Sequence, residues 1–250
     1  AGEHCSLLTS SATNTRRVAS RGNAAARRPR RKMPAPPRKT PRKLSSRDPW
    51  FLYLSYQAVH DPVEVGDAKY VTDTNCKALD APRSELCGMV AEVDDGLKTI
   101  RLTLEEHNAW DRTLLVVASD NGGVPAHGSS NFNLRGEKAQ YYEGGVRVPL
   151  VVSGGYVNKQ ARGRRLQSLA HVTDLHATFL SLAQYQPNAN DKALDGINLA
   201  PHLFGDAPPP RDEVLINMNS AHFGEAGALI VGDFKYATNA EPSEAGVYAH

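Results

Sequence analysis

Thr113-Leu114-Leu115-Val116-Val117-Ala118-Ser119-Asp120-Asn121-Gly122-Gly123 reads as a short buried strand that runs directly into a carboxylate, a carboxamide and two glycines. Open α/β sheets place their sites at the carboxyl ends of strands, and hard cations take carboxylate and carbonyl oxygens held on a fixed backbone. Asp120 and Asn121 are therefore candidate metal ligands. The same residues also suit an Asx turn that only closes a strand, so their neighbours decide the reading.

Downstream lie Leu134-Arg135-Gly136-Glu137-Lys138 and Tyr142-Glu143-Gly144-Gly145-Val146-Arg147-Val148-Pro149, and upstream lies Ala58-Val59-His60-Asp61-Pro62. Blocks in this order, between about Asp48 and Tyr236, resemble the sulfatase family, most closely its arylsulfatase B (N-acetylgalactosamine-4-sulfatase) branch. The resemblance implies an α/β, alkaline-phosphatase-like fold with a mostly parallel sheet flanked by helices. It also implies Ca²⁺-dependent hydrolysis of sulfate esters, with a sulfated carbohydrate or an aryl sulfate as substrate, in a lysosomal or secreted enzyme. By the same resemblance Asp120 and Asn121 ligate Ca²⁺, Lys138 binds sulfate oxygens, and His60, in a His-x-Pro setting, contacts substrate and assists the leaving group. The chemistry fits these types. An imidazole has its ordinary pKa near neutrality, and an ammonium matches sulfate oxygens whose charge redistributes as the ester bond breaks. The plainer alternatives are a surface histidine and a solvated lysine. Arg135 and Arg147 read as loop braces.

Members of that family use a formylglycine made from Cys or Ser in Cys-x-Pro-Ser-Arg. Cys5 is followed by Ser6-Leu7-Leu8-Thr9, with neither the proline nor the arginine, so Cys5 is not the nucleophile. The Leu7-Leu8-Thr9 triplet is similar to the Leu-Leu-Thr that lies shortly after the nucleophile in relatives. The family's N-terminal aspartate pair and its additional lysine and histidine have no match either. The expectation is the C-terminal half of such an enzyme, incomplete on its N-terminal side. As written it is expected to be inactive, because groups that act as a unit lose nearly all rate without the nucleophile. Two other classes compete. One is a non-catalytic sulfatase remnant or glycan-binding pseudoenzyme. The other is a phosphoryl-transfer enzyme on the same fold, which needs further Asp/His ligands and finds only His171-Val172-Thr173-Asp174.

Composition divides the chain into two parts. Residues 1–47 carry 13 Lys and Arg against the single acid Glu3, while residues 48–250 carry 16 against 26, so formal charges of +12 and −10 combine to the overall +2. The first segment has five prolines and no aromatic residue. It cannot bury enough apolar surface to offset its ordering entropy, and it reads as a disordered or non-native basic segment. A basic run without aromatic interleaving or a folded module does not indicate a specific nucleic-acid partner. Residues 48–205 are then a partial catalytic domain and 206–250 the start of a small C-terminal subdomain. No apolar run is long enough to span a bilayer, and no signal-peptide h-region is apparent. Three cysteines, odd in number and widely spaced, suggest neither a disulfide framework nor a zinc site.

Within 48–250 the spacing predicts strands over Trp50–Tyr56, Leu114–Ala118 and Val148–Val152. It predicts an amphipathic helix that starts at Pro82-Arg83-Ser84, with Leu86, Met89, Val90, Val93, Leu97, Ile100 and Leu104 on one stripe, and ends near Asn108. A second helix spans Val172–Ala183. A β-hairpin turns at Gly232-Asp233. The order strand, helix, strand, loop, strand, helix implies parallel pairing. His127 lies near the metal pair but outside every matched block, Thr173-Asp174 is explained by helix capping, and Asp94-Asp95 falls on a solvated helix face.

Overall fold

The computed structural model describes residues 7–9, 48–219, 226–241 and 244–249. The basic segment 1–47 lies outside the described residues apart from 7–9. The chain forms two compact units, Ala1–Gln57 and Ala58–His250. In the first, β1 (Leu7–Thr9) pairs in parallel with β2 (Phe51–Tyr53), in the register Leu7 with Phe51 and Thr9 with Tyr53.

In the second unit, a short helix α1 (Lys69–Thr72) and a 3-10 turn at Asn75–Ala78 precede the long α2 (Arg83–Glu106). The predicted stripe explains α2: Met89 is buried and Leu86, Val93, Leu97, Ile100 and Leu104 are half-buried, but Val90, at the edge of the stripe, is turned to solvent and 53% exposed. Its end is set by Asn108, whose φ of 52° takes the left-handed conformation that asparagine tolerates at a helix terminus. Three bonds sew the chain after His60 onto α2. Gly66 N–H donates to Glu92 at 2.9 Å, and Tyr70 Oη donates to Asp95 at 2.9 Å, which raises the Tyr70 phenol above its ordinary pKa. Lys69 pairs with Asp67 beside them. The third bond to α2 is a disulfide, Cys76–Cys87, with the Cα atoms 5.5 Å apart. This corrects the expectation from cysteine count. The 3-10 turn folds Cys76 back against the second turn of α2, a proximity that a spacing of eleven residues does not reveal.

The strand β3 (Leu115–Ala118) runs into the Asp120 turn and, after the loops of the site and a four-residue helix α3 (Glu143–Val146), returns as β4 (Leu150–Ser153). The α/β class stands, but the expected direction of this pair does not. β3 and β4 are antiparallel, Leu115 opposite Ser153 and Ala118 opposite Leu150. A parallel partner needs a crossover that covers one face of the sheet. Residues 119–149 contain no helix long enough for that and instead fold as loops at one end of the pair.

Helix α4 (Val172–Leu182) starts on a capping box in which His171 is the cap, two residues ahead of the expected Thr173, and Asp174 is its N3 partner. Asp174 is completely buried. It accepts from the His171 N–H at 2.7 Å and the Ile197 N–H at 2.8 Å, and it pairs with Arg211. Thr178 donates to the Asp174 carbonyl and accepts from the Leu199 N–H, tying the segment before α5 (Ala200–Phe204) to α4. The chain closes in an antiparallel sheet of β5 (Glu213–Asn219), β6 (Ala226–Val231), β7 (Phe234–Glu241) and β8 (Glu244–Ala249), with the predicted turn at Gly232-Asp233. Among the described residues no helix is long and apolar enough to cross a membrane.

Candidate functional site

The site grows out of the turn after β3. Asn121 N–H donates to Asp120 Oδ1 and Asn121 Nδ2 to the Gly122 carbonyl, both at 2.9 Å. These bonds orient both side chains. The carboxylate keeps its second oxygen, and the carboxamide keeps Oδ1, free of protein donors among the described residues. Hard oxygens presented in this way fit a cation such as Ca²⁺, but two are only part of the six to eight that it takes. Among the described residues no group of three or more His, Cys, Asp or Glu could hold a metal ion.

The turn is held against α3. Gly122 N–H donates to the Gly145 carbonyl at 2.8 Å, and a Cβ on Gly122 would collide with the Gly144 carbonyl oxygen. Only glycine permits that approach. Asn131 performs a similar task from the other side. Its Oδ1 accepts the Gly123 N–H and its Nδ2 donates to the Gly123 carbonyl, each at 2.9 Å, and Nδ2 also reaches the Gly136 carbonyl at 3.1 Å. The Lys138 N–H shares that Gly123 carbonyl at 3.3 Å. Asn131 was not singled out from sequence. Its only signal is its place between the Gly-Gly pair and the Arg-Gly-Glu-Lys block.

Lys138 carries the link to His60, 78 residues upstream: its Nζ lies 2.9 Å from His60 Nε2. The ring's other nitrogen, Nδ1, lies 3.0 Å from the Asp61 carbonyl. A carbonyl only accepts and an ammonium only donates. The partners therefore assign His60 the neutral tautomer with the proton on Nδ1 and a bare Nε2. Asp61 in turn holds His127, Oδ2 to Nδ1 at 3.0 Å, so the histidine set aside in the sequence reading lies beside this loop. The structure thus brings His60 and Lys138 together, and it joins Lys138 through Gly123 to the Asp120-Asn121 turn. Asp120, Asn121 and Lys138 line one cleft of about 1890 Å³, while His60 lies outside its lining.

The neighbouring charged residues are structural. Glu143 Oε1 accepts from Lys235 Nζ at 2.8 Å with the Lys235 side chain 3% exposed, and Arg147 approaches the other oxygen at 3.7 Å. Tyr142 packs on Ala228 and Ala237 of the C-terminal sheet, under the Arg135 guanidinium 4.1 Å from its ring centre. Arg147 also donates to Gln167 at 3.3 Å. Asp174, the weak metal candidate of the phosphoryl-transfer reading, has both oxygens engaged inside the protein.

A profile described as Sulfatase matches residues 42–185. Arylsulfatase J of Mus musculus is 32% identical over 177 residues, which are 68% of this chain and 28% of that protein. N-acetylgalactosamine-6-sulfatase of Homo sapiens is 32% identical over 166 residues, 62% of this chain and 28% of that one. The solved structure of Ps i-CgsB in complex with k-i-k-neocarrahexaose superposes with a TM-score of 0.70 at 28% identity, over 81% of this chain and 44% of that one. Phosphonate monoester hydrolase SpPMH from Silicibacter pomeroyi shares the fold, with a TM-score of 0.56 at 18% identity, over 82% of this chain and 50% of that one. The chain therefore spans about 28% of the length of these two curated relatives. With more than half of its residues under the family profile, and with the profile's span containing the Asp120-Asn121 turn and the His60–Lys138 contact, the chain belongs to the sulfatase family.

Proposed function

We propose that this chain is the site-bearing C-terminal part of a Ca²⁺-dependent sulfuric ester hydrolase that acts on sulfated sugars, with the arylsulfatase B-like character of its sequence blocks. The observation that carries the reading is the 2.9 Å contact between Lys138 Nζ and His60 Nε2, tied through Gly123 to the Asp120-Asn121 turn. Residues 48–205 belong to the catalytic domain and 206–250 open the C-terminal subdomain.

Asp120 Oδ2 and Asn121 Oδ1 would hold the cation. Bound Ca²⁺ supplies positive charge that draws in a sulfate ester and takes up negative charge on its oxygens. Lys138 adds a directed ammonium to a sulfate oxygen. When sulfate draws the Lys138 hydrogens away, His60 Nε2 is released, and once protonated it stands ready to donate to the departing sugar oxygen. The Asp61 carbonyl keeps the opposite nitrogen protonated throughout, which aims Nε2 at the reaction. The Cys76–Cys87 disulfide favours an oxidising compartment, in keeping with a lysosomal or secreted protein. The 250 residues contain no Cys-x-Pro-Ser-Arg, and we propose that on their own they bind but do not turn over.

Calorimetric titration of the chain with calcium, then with inorganic sulfate, tests this. Loss of calcium binding in Asp120→Ala and of sulfate binding in Lys138→Ala supports the reading. Unchanged binding in both sinks it. Hydrolysis of an aryl sulfate by the unmodified chain would overturn the inactivity.

A further inference from the structure

We propose that His127 is a positioning residue that acts through Asp61 to hold the His60 imidazole in its Nδ1–H tautomer with Nε2 turned to Lys138. The inference rests on the functional reading above for its importance, but not for its geometry.

Two loops meet at the site, and both are built on α2. The His60 loop is anchored downstream by the Gly66–Glu92 and Tyr70–Asp95 bonds and the Cys76–Cys87 disulfide. The Pro125–His127 turn that follows the metal residues is anchored by Gly128. Its φ is 90°, and a Cβ there would lie 2.8 Å from Arg83 N and 2.9 Å from the Pro82 carbonyl carbon, at the start of α2. Between Ala58 and Gly66, however, the His60 loop carries its contacts to the site on a few bonds. Asp61 supplies two of them, from different atoms. Its backbone carbonyl accepts from His60 Nδ1 at 3.0 Å, and its carboxylate accepts from His127 Nδ1 at 3.0 Å. That bond requires a proton on His127 Nδ1, which the imidazolium and the neutral Nδ1–H tautomer both supply.

Fixing the Asp61 side chain from the far loop fixes the peptide whose carbonyl selects the His60 tautomer. A free imidazole exchanges its proton between both nitrogens, and a ring protonated at Nε2 repels the Lys138 ammonium instead of accepting from it. His127 therefore touches neither sulfate nor metal in this scheme. Its effect is to keep the acceptor of the His60–Lys138 bond bare. Both partners are about half exposed, 50% and 48%, so the expected effect is modest, about a two- to fivefold change in the tautomer ratio, the range an exposed pair supports.

The test is long-range ¹H–¹⁵N correlation of the His60 ring in the full chain, wild type against His127→Phe and Asp61→Ala, which remove the donor and the acceptor. Both variants are expected to shift His60 toward the Nε2–H form. His127→Asn, whose side-chain N–H reaches the position of Nδ1, is expected to restore the wild-type spectrum. A His60 tautomer unchanged in both deletions overturns the proposal, as does failure of Asn to rescue in a chain whose calcium titration is normal. Sulfate binding in Lys138→Ala is read alongside. If that variant binds sulfate as well as wild type while the tautomer shift appears, the functional reading fails and the positioning role stands.

Discussion

Replacing Glu143 by Leu strands a lysine, and the structure sets the size of the penalty. Lys235 Nζ has Glu143 Oε1 at 2.8 Å, and the lysine side chain is 3% exposed against 16% for the glutamate. An ammonium so enclosed and left without its carboxylate costs about 3–5 kcal/mol. The reverse change, Lys235→Met, is milder, because the carboxylate keeps Arg147 at 3.7 Å with half of that arginine in solvent; about 1–2 kcal/mol is expected. Removing both charges, Glu143→Leu with Lys235→Met, leaves no enclosed charge and is expected to fall within about 1 kcal/mol of wild type.

Urea unfolding followed by tryptophan fluorescence, with Trp110 as reporter in the same unit, measures all three. The thermal midpoint of the glutamate variant should fall by about 10 °C for a chain of this size. The order matters more than any one value: glutamate single worst, lysine single intermediate, double near wild type, with a coupling of at least about 2 kcal/mol. A Glu143→Leu cost below about 1 kcal/mol, or a double equal to the sum of its singles, refutes the argument that this pair is enclosed and mutually dependent.

Gly122→Ala forces a methyl into the Gly144 carbonyl and displaces the Asp120-Asn121 turn, so calcium affinity should drop at least tenfold, about 1.4 kcal/mol; unchanged affinity by calorimetry contradicts the close approach. Reducing Cys76–Cys87, or replacing both by Ser, frees a closed loop with an eleven-residue separation and should lower unfolding stability by about 3 kcal/mol. A midpoint indifferent to reductant would dispute the link. Asp174→Ala deprives two backbone donors and Arg211 of their acceptor at a completely buried point. It should leave the chain largely unfolded at ambient temperature, since a loss of about 5 kcal/mol approaches the total stability of a domain. A cooperative, near-wild-type unfolding curve for this variant would show that the buried carboxylate is dispensable.

The elements that the sequence announced are those whose signal is local. The stripe of α2 repeats at helical spacing, the run before Ser119-Asp120 is apolar, and Gly232-Asp233 sits between two β-prone segments; each needs only its own residues. What stayed hidden depends on residues far apart in the chain. Strand direction for β3 and β4 is decided by what occupies residues 119–149 between them. Cys76 finds Cys87 because a 3-10 turn folds back. Lys235 was one charge among many until β7 brought it under Glu143. The candidate site divides in the same way. His60, Asp120, Asn121 and Lys138 were legible as motif positions, but the clamp of Asn131 on Gly123 and the His127–Asp61 bond have no pattern along the chain.

That division bears on how the site is held. Gly122 rests on Gly145, Gly145 belongs to α3, and α3 opens with Glu143, whose carboxylate is fixed by Lys235 of the C-terminal sheet. Tyr142, one residue earlier, packs on Ala228 and Ala237 of that sheet. The Asp120-Asn121 turn is therefore braced from behind by the C-terminal sheet, while the His60 loop is braced by α2 and the disulfide. Among the described residues the two supports are joined at the Lys138–His60 contact, at the Asp61–His127 pair and where Gly128 packs on the start of α2. Loosening the sheet by Glu143→Leu should weaken calcium binding at Asp120 and Asn121 and leave the His60 tautomer in place. Loosening the other support by reduction of Cys76–Cys87 should do the reverse. If either perturbation moved both readouts equally, the two supports would be a single cooperative body, and the separate bracing inferred from these contacts would be wrong.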